Sequence, residues 1–269
     1  MIMKIVKLLK YIESKRDTGS RFFDVIIFLK DKVHGLVYNF ATNHLSKFIF
    51  GFYNSLFLRP KYDILFVVSR YNEDINWVKK ISYKYVLYNK GPDDILSDIK
   101  YKKLPNVGRE AHTYLTYLVD NYNSLPDYVG FLQGDPFPHS IFMGHRLSKF
   151  KGEDFYPLCP NTKYKEDARP YIDMIERSTA KYFGIVRPAG EFPFGAQFII
   201  SKNKILKHSL REYEFLLNKL VESEKNKSFC IVPKKHHQPC ACVNDISAWM
   251  LEVWWPILFE EDRNIVNFE

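Results

Sequence analysis

Cysteine is scarce in this chain, with only Cys159, Cys230, Cys240 and Cys242 among 269 residues. That is too few for a disulfide scaffold. Neither G-x-G-x-x-G nor G-x-x-x-x-G-K-[S/T] occurs, so a dinucleotide fingerprint and a P-loop are unsupported. No uninterrupted run of ~20 apolar residues is present, which argues against an ordinary transmembrane helix. The basic N-terminus lacks a clean apolar run ending in a small-residue cleavage site, so a secretory signal is not expected either.

What is present is a large apolar inventory. Hydrophobic residues make up 46% and charged residues 26%, with 22 Phe and 18 Tyr. This composition excludes a disordered or collagen-like chain, and the length suffices for a core that needs no staple. The net charge of +8 is uneven. Residues 1–62 carry 11 Lys and Arg against 4 Asp and Glu, whereas the rest carries 28 against 27. The basic character therefore belongs to the N-terminal segment, and a nucleic-acid partner is not expected of the nearly neutral body.

Within that segment Ile2, Ile5, Val6, Leu9 and Ile12 recur at helical spacing with Lys4, Lys7 and Lys10 between them. This predicts an amphipathic helix. Another helical pattern covers Leu36 to Phe57. Residues 1–59 read as a basic amphipathic helical extension, which either packs on the body or lies on an anionic membrane surface. The expected location is cytoplasmic, with peripheral membrane contact as the alternative.

From residue 60 to 269 the pattern is α/β. Asp63 to Ser69 is a near-continuous apolar run, which predicts a buried central strand at Ile64 to Val68. Further strands are expected at Lys84 to Asn89 and Tyr128 to Leu132, with a helix from Glu110 to about Tyr122. Beyond these, Phe142 to Ala168 reads as a long loop with short helices. Helices are expected over Tyr171 to Phe183, Ile205 to Val221 and residues 247–259, and one strand over Phe192 to Ile200. Open α/β sheets bind ligands at the carboxyl ends of their strands. Three polar clusters fall at such ends or at a helix start: Ser69 to Asp74, Asn106 to Glu110, and Gln133 to Asp135 with His139. Glu252 lies among Trp249, Trp254 and Trp255, where a carboxylate needs a partner or a role. His236, His237, Cys240 and Cys242 invite a zinc reading, but C-x-C is tighter than the usual structural pair. Unliganded loop residues are the simpler account.

Four segments together resemble the uncharacterised family DUF3431. They are Val67 to Trp77, the Tyr88-Asn89-Lys90-Gly91 turn, Leu104 to Leu115 with its Asn106-Val107-Gly108-Arg109-Glu110 core, and Phe131 to Phe137. The resemblance spans roughly residues 62–260. A more distant resemblance is to nucleotide-sugar glycosyltransferases with a GT-A fold, of the rhamnan synthesis type. Asn106 to Glu110 is similar to their Asn-x-Gly-Arg-Asp turn. Gln133-Gly134-Asp135 stands where they carry a metal-binding DxD, with the first carboxylate missing. Gly195-Ala196-Gln197-Phe198 is similar to their acceptor-side segment, and Glu252 matches a late helical Glu.

The resemblance implies a GT-A-like (Rossmann-like) mixed sheet flanked by helices, following the N-terminal helical extension. It implies transfer of a sugar from a nucleotide-sugar donor to a glycan or other hydroxyl acceptor. Such a reaction needs positive charge at the leaving diphosphate and, in an inverting enzyme, a base at the acceptor hydroxyl. Ser69, Arg70, Asn72, Glu73, Asn106, Arg109 and Gln133 are the expected nucleotide contacts. Asp135 is the expected ligand for Mn2+ or Mg2+, and Glu252 or Asp245 the expected base. Two other readings stay open. One is a catalytically inactive sugar- or nucleotide-binding protein. The other is a phosphate- or sugar-ester hydrolase using Asp135 and His139.

Overall fold

The computed structural model describes residues 46–48, 50–51, 61–93, 98–140, 143–163, 169–184, 191–193, 195–225, 246, 248–261 and 265. Most of the expected extension at 1–59 lies outside these residues, as do Asp245 and the 236–242 cluster.

A six-stranded mixed sheet forms the centre. Its strands are β1 (Ile64–Arg70), β2 (Lys84–Asn89), β3 (Lys102–Lys103), β4 (Tyr128–Gln133), β5 (Phe155–Pro157) and β8 (Phe198–Ser201). They lie in the order β3-β2-β1-β4-β8-β5. β1 pairs in parallel with β2 and β4, and β2 with β3. β8 runs antiparallel to β4 and β5. β6 (Asn161–Lys163) and β7 (Glu191–Pro193) form a separate two-stranded sheet.

The continuous apolar run Ile64 to Val68 occupies the interior of the sheet, as expected for a strand covered on both faces. Phe66, Val67 and Val68 have no exposed surface. Gly130 on β4 gives room on one face, because a Cβ there would meet the Phe66 ring at 2.2 Å. Besides helical residues at 46–48 and 50–51 and 3-10 turns at Asn76–Lys80 and Tyr122–Ser124, the described helices are α1 (Arg109–Asn121), α2 (Met143–Lys149), α3 (Arg169–Phe183), α4 (Lys202–Ile205), α5 (Leu210–Lys225) and α6 (Ala248–Phe259).

One face of the sheet is covered by α1, α5 and α6, through Tyr114, Leu115, Leu118, Leu216, Leu220, Leu251 and Trp255. On the other, Phe50, Trp77, Phe137, Met143 and Leu147 pack against Phe66, Val68 and Leu132. Each large apolar side chain so buried contributes roughly 1.5–3 kcal/mol. α6 is buried almost all round, with Trp254, Trp255 and Phe259 each at 1% exposure or less.

Three expectations are corrected. The expected strand at 192–200 is two strands in two sheets, broken at Gly195 (φ +93°) and Ala196 (φ +49°). The helix expected from Ile205 is two helices. α4 ends at Ile205, and α5 begins at Leu210 behind a capping box of Ser209 and Glu212. The segment expected as loop and short helices contains β5 and β6 besides α2.

Candidate functional site

The carboxyl ends of β1, β2 and β4 and the start of α1 meet along one rim, as the parallel pairing requires. At β1 the Ser69 hydroxyl lies 2.8 Å from that of Thr113, tying the strand end to α1. Arg70 is fully buried. Its guanidinium donates to Asn89 Oδ1 at 2.8 Å, to the Pro92 carbonyl at 2.6 Å and to the Glu73 carbonyl at 3.1 Å. Glu73 turns back on its own loop, accepting from the Tyr71 and Asn72 N–H groups at 2.7 and 3.1 Å. Arg70 and Glu73 thus hold the 70–93 rim together, while Asn72 and Asn106 are exposed.

Asp135 follows β4 and Gly134. A Cβ on Gly134 would meet Glu73 Oε2 at 2.6 Å and the Arg70 Cα at 3.1 Å, so glycine lets the two loops touch. The Trp77 indole donates to the Gly134 carbonyl at 2.8 Å. Burial pushes the Asp135 carboxyl up; Lys47 and the Phe137 N–H draw it down, and Glu73 and Asp74 push it up again. Lys47 Nζ lies 3.9 Å from Asp74 Oδ2 and 4.0 Å from Asp135 Oδ2. Asp135 Oδ1 is buried without a hydrogen-bond partner among the described residues. Among those residues no group of three His, Cys, Asp or Glu could hold a metal ion. A divalent ion at Asp135 would have to take most of its ligands from a bound molecule and water.

A second polar group surrounds Glu252. α6 carries this carboxyl to the Gly195–Ala196 break, where Oε1 accepts the Gly195 N–H. Burial pushes Glu252 up to about 7, against the Gly195 hydrogen bond; the Glu110 charge adds to the rise and Arg109 opposes it. Arg109 sits at the start of α1 in a left-handed conformation (φ +47°), directly after Gly108 (φ +59°). Its guanidinium is 3.8 Å from Glu110 and largely exposed. Burial and the Arg109 charge depress His139, whose ring faces Gly195.

Two wholly buried side chains complete this group. Tyr114 on α1 lies in the field of Glu110, Cys159 and Glu252. Its hydroxyl has no hydrogen-bond partner among the described residues. Gln197 donates to the Pro136 carbonyl at 3.1 Å, while its Oε1 is unpartnered among the same residues.

The structure thus brings the expected residues into two adjoining groups. Asp135 shares its surroundings with Lys47, Glu73 and Asp74. Glu252 shares its own with Arg109, Glu110, His139 and Tyr114. Residues 136–139 join the two, since Pro136 contacts Gln197 and His139 contacts Gly195. Gln133 is half-buried at the end of β4. Sequence reasoning missed the roles of Lys47, Lys90, Gln197 and the Tyr114 hydroxyl. Lys90 and Gln197 stand inside the quoted motifs, which was the available signal. Tyr114 reads simply as part of an apolar stripe.

The family model described as a protein of unknown function, DUF3431, matches residues 65–143. That stretch contains the Arg70 loop, the Arg109 turn and Asp135, and stops short of Gly195 and Glu252. No curated protein and no solved structure matches the chain.

Proposed function

We propose that the chain is a glycosyltransferase that moves a sugar from a nucleotide-sugar donor to a hydroxyl acceptor. The observation that carries this reading is Glu252, a half-buried carboxyl oriented by the Gly195 N–H at the sheet rim and held up at about 7 by desolvation. A base with that affinity for a proton is half-ionised near neutral pH, where general-base catalysis of an acceptor hydroxyl is most effective. Asp245, the other base expected from sequence, lies outside the described residues.

Further support comes from the sheet. Four parallel strands in the order β3-β2-β1-β4, followed by an antiparallel strand, suit a GT-A-like domain receiving a nucleotide at β1 and β4. Arg109, exposed beside the Glu252 group, is the cation available to a leaving diphosphate. Ser69, Arg70 and Glu73 shape the nucleotide-facing loops, and Asn72, Asn106 and Gln133 are the more accessible contacts. Asp135, with its unpartnered Oδ1, would hold Mn2+ or Mg2+ jointly with the donor's phosphate oxygens. The ion would supply charge neutralisation at the leaving group.

Incubation with radiolabelled nucleotide sugars and a panel of hydroxyl acceptors tests the reading. Transfer that is lost in Glu252→Gln supports it. Binding of UDP without transfer or hydrolysis favours an inactive binding protein instead. Release of phosphate or sugar from an ester, dependent on His139, favours a hydrolase.

A further inference from the structure

Lys90 is a buried cation that the proposed reaction does not use. It follows β2 and is 6% exposed. Its backbone N–H donates to the Arg70 carbonyl at 2.8 Å. Gly91 behind it permits close approach to the Tyr71 backbone, where a Cβ would meet the carbonyl oxygen at 1.6 Å. The ammonium therefore leaves the sheet at a fixed place. It donates to the Val107 and Arg109 carbonyls, which flank the left-handed pair Gly108 and Arg109.

A non-glycine residue in that conformation is strained. The start of a helix also disfavours a cation, and α1 has no side-chain cap there. Two carbonyls converging on one ammonium offset the conformational cost, because hydrogen bonds to a charged donor are the stronger kind. Without that ammonium the two carbonyls have no reason to face each other, and the turn can relax to ordinary dihedral angles. Relaxation would swing the Arg109 guanidinium away from the group formed by Glu252, Glu110, His139 and Tyr114.

We propose that Lys90 is the positioning residue for Arg109, clamping the 107–109 turn so that the guanidinium is presented to the Glu252 group. The value of that placement for sugar transfer rests on the reading above; the clamp itself does not.

The test is a double-mutant cycle read by 13C NMR titration of the Glu252 carboxyl in the full chain. Wild type should titrate near 7. Arg109→Met should titrate higher, having lost the opposing cation, and Lys90→Met should show the same upward shift. The double variant should shift no further than either single one. An unchanged midpoint in Lys90→Met overturns the proposal. So does a Lys90→Met shift that persists in the Arg109→Met background, since it would mean that Lys90 acts directly. Should the Met variant fail to fold, Lys90→Leu, which likewise has no donor for the Val107 and Arg109 carbonyls, is held to the same outcomes. Absence of transfer by wild type would count against the transferase reading and leave the titration result standing.

Discussion

Glu252 accepts a hydrogen bond from a backbone position that side-chain sterics and a positive φ reserve for glycine. Gly195 has φ +93°, and a Cβ there would lie 2.7–3.0 Å from three atoms of His139. Residue type at 195 and proton affinity at 252 are therefore linked through a single N–H.

Gly195→Ala should cost about 2–3 kcal/mol of stability, since it combines a disfavoured conformation with a clash. It should also raise the Glu252 midpoint above about 7, because the N–H that favours the carboxylate is displaced. Urea unfolding and NMR titration read the two effects separately. A stability loss with an unmoved midpoint would show that the contact does not tune the carboxyl.

Glu252→Gln should stabilise the protein above pH 7. Between the ordinary 4.5 and about 7 the folded state keeps a proton that the unfolded chain releases. Stability therefore falls as pH rises through this window, by at most on the order of 3 kcal/mol. His112 has the opposite slope. Burial, aided by Lys90, depresses it from 6.5 to about 4. The unfolded chain then binds the extra proton, and stability falls as pH drops through that range. The two slopes largely cancel in wild type, so Glu252→Gln should unmask acid lability between pH 6.5 and 4. Urea midpoints across pH 4–8 check both signs.

Tyr114→Phe removes a hydroxyl that is buried without a partner among the described residues. Stability should hold or rise by up to about 1 kcal/mol, because an unsatisfied buried polar group is a cost rather than a gain. Turnover should fall if the hydroxyl serves a ligand. A clear drop in thermal stability would instead reveal a structural partner.

Asp135→Asn should lower sugar transfer by at least ~100-fold, about 2.7 kcal/mol of transition-state stabilisation. The fold should lose little, since the Lys47 contact at 4.0 Å is partly exposed and such pairs are worth about 0–1 kcal/mol. UDP titration with and without Mn2+ separates the possibilities. Equal metal dependence in mutant and wild type would remove Asp135 as a ligand.

Legibility in the sequence followed the range of the forces involved. Ile64 to Val68 is apolar at every position, and that alone placed β1 inside the sheet. The break at Gly195 was invisible to hydropathy, because Phe192 to Ile200 stays apolar while the chain passes from one sheet to another. Arg70 looked like a phosphate ligand by residue type. Its partners Asn89 and Pro92 lie about twenty residues on, and only the pairing of β1 with β2 brings them together. Glu252 stood out as a lone carboxylate among tryptophans. The neighbours that set its proton affinity, Glu110, Arg109 and Gly195, come from distant parts of the chain.

The antiparallel seam between β4 and β8 also carries a kinetic consequence. The four parallel strands are drawn from residues 64–133, whereas β8 returns to β4 only after an excursion of roughly 65 residues, a closure whose entropic cost must be met before its contacts form. Gly195 and Gln197 arrive with that seam, and Glu252 arrives later still with α6. The Arg70 and Asp135 loops can thus take shape early in folding, while the Glu252 group is assembled last. Partial opening of the β4–β8 seam would dismantle the acid–base end of the rim and leave the loop end intact.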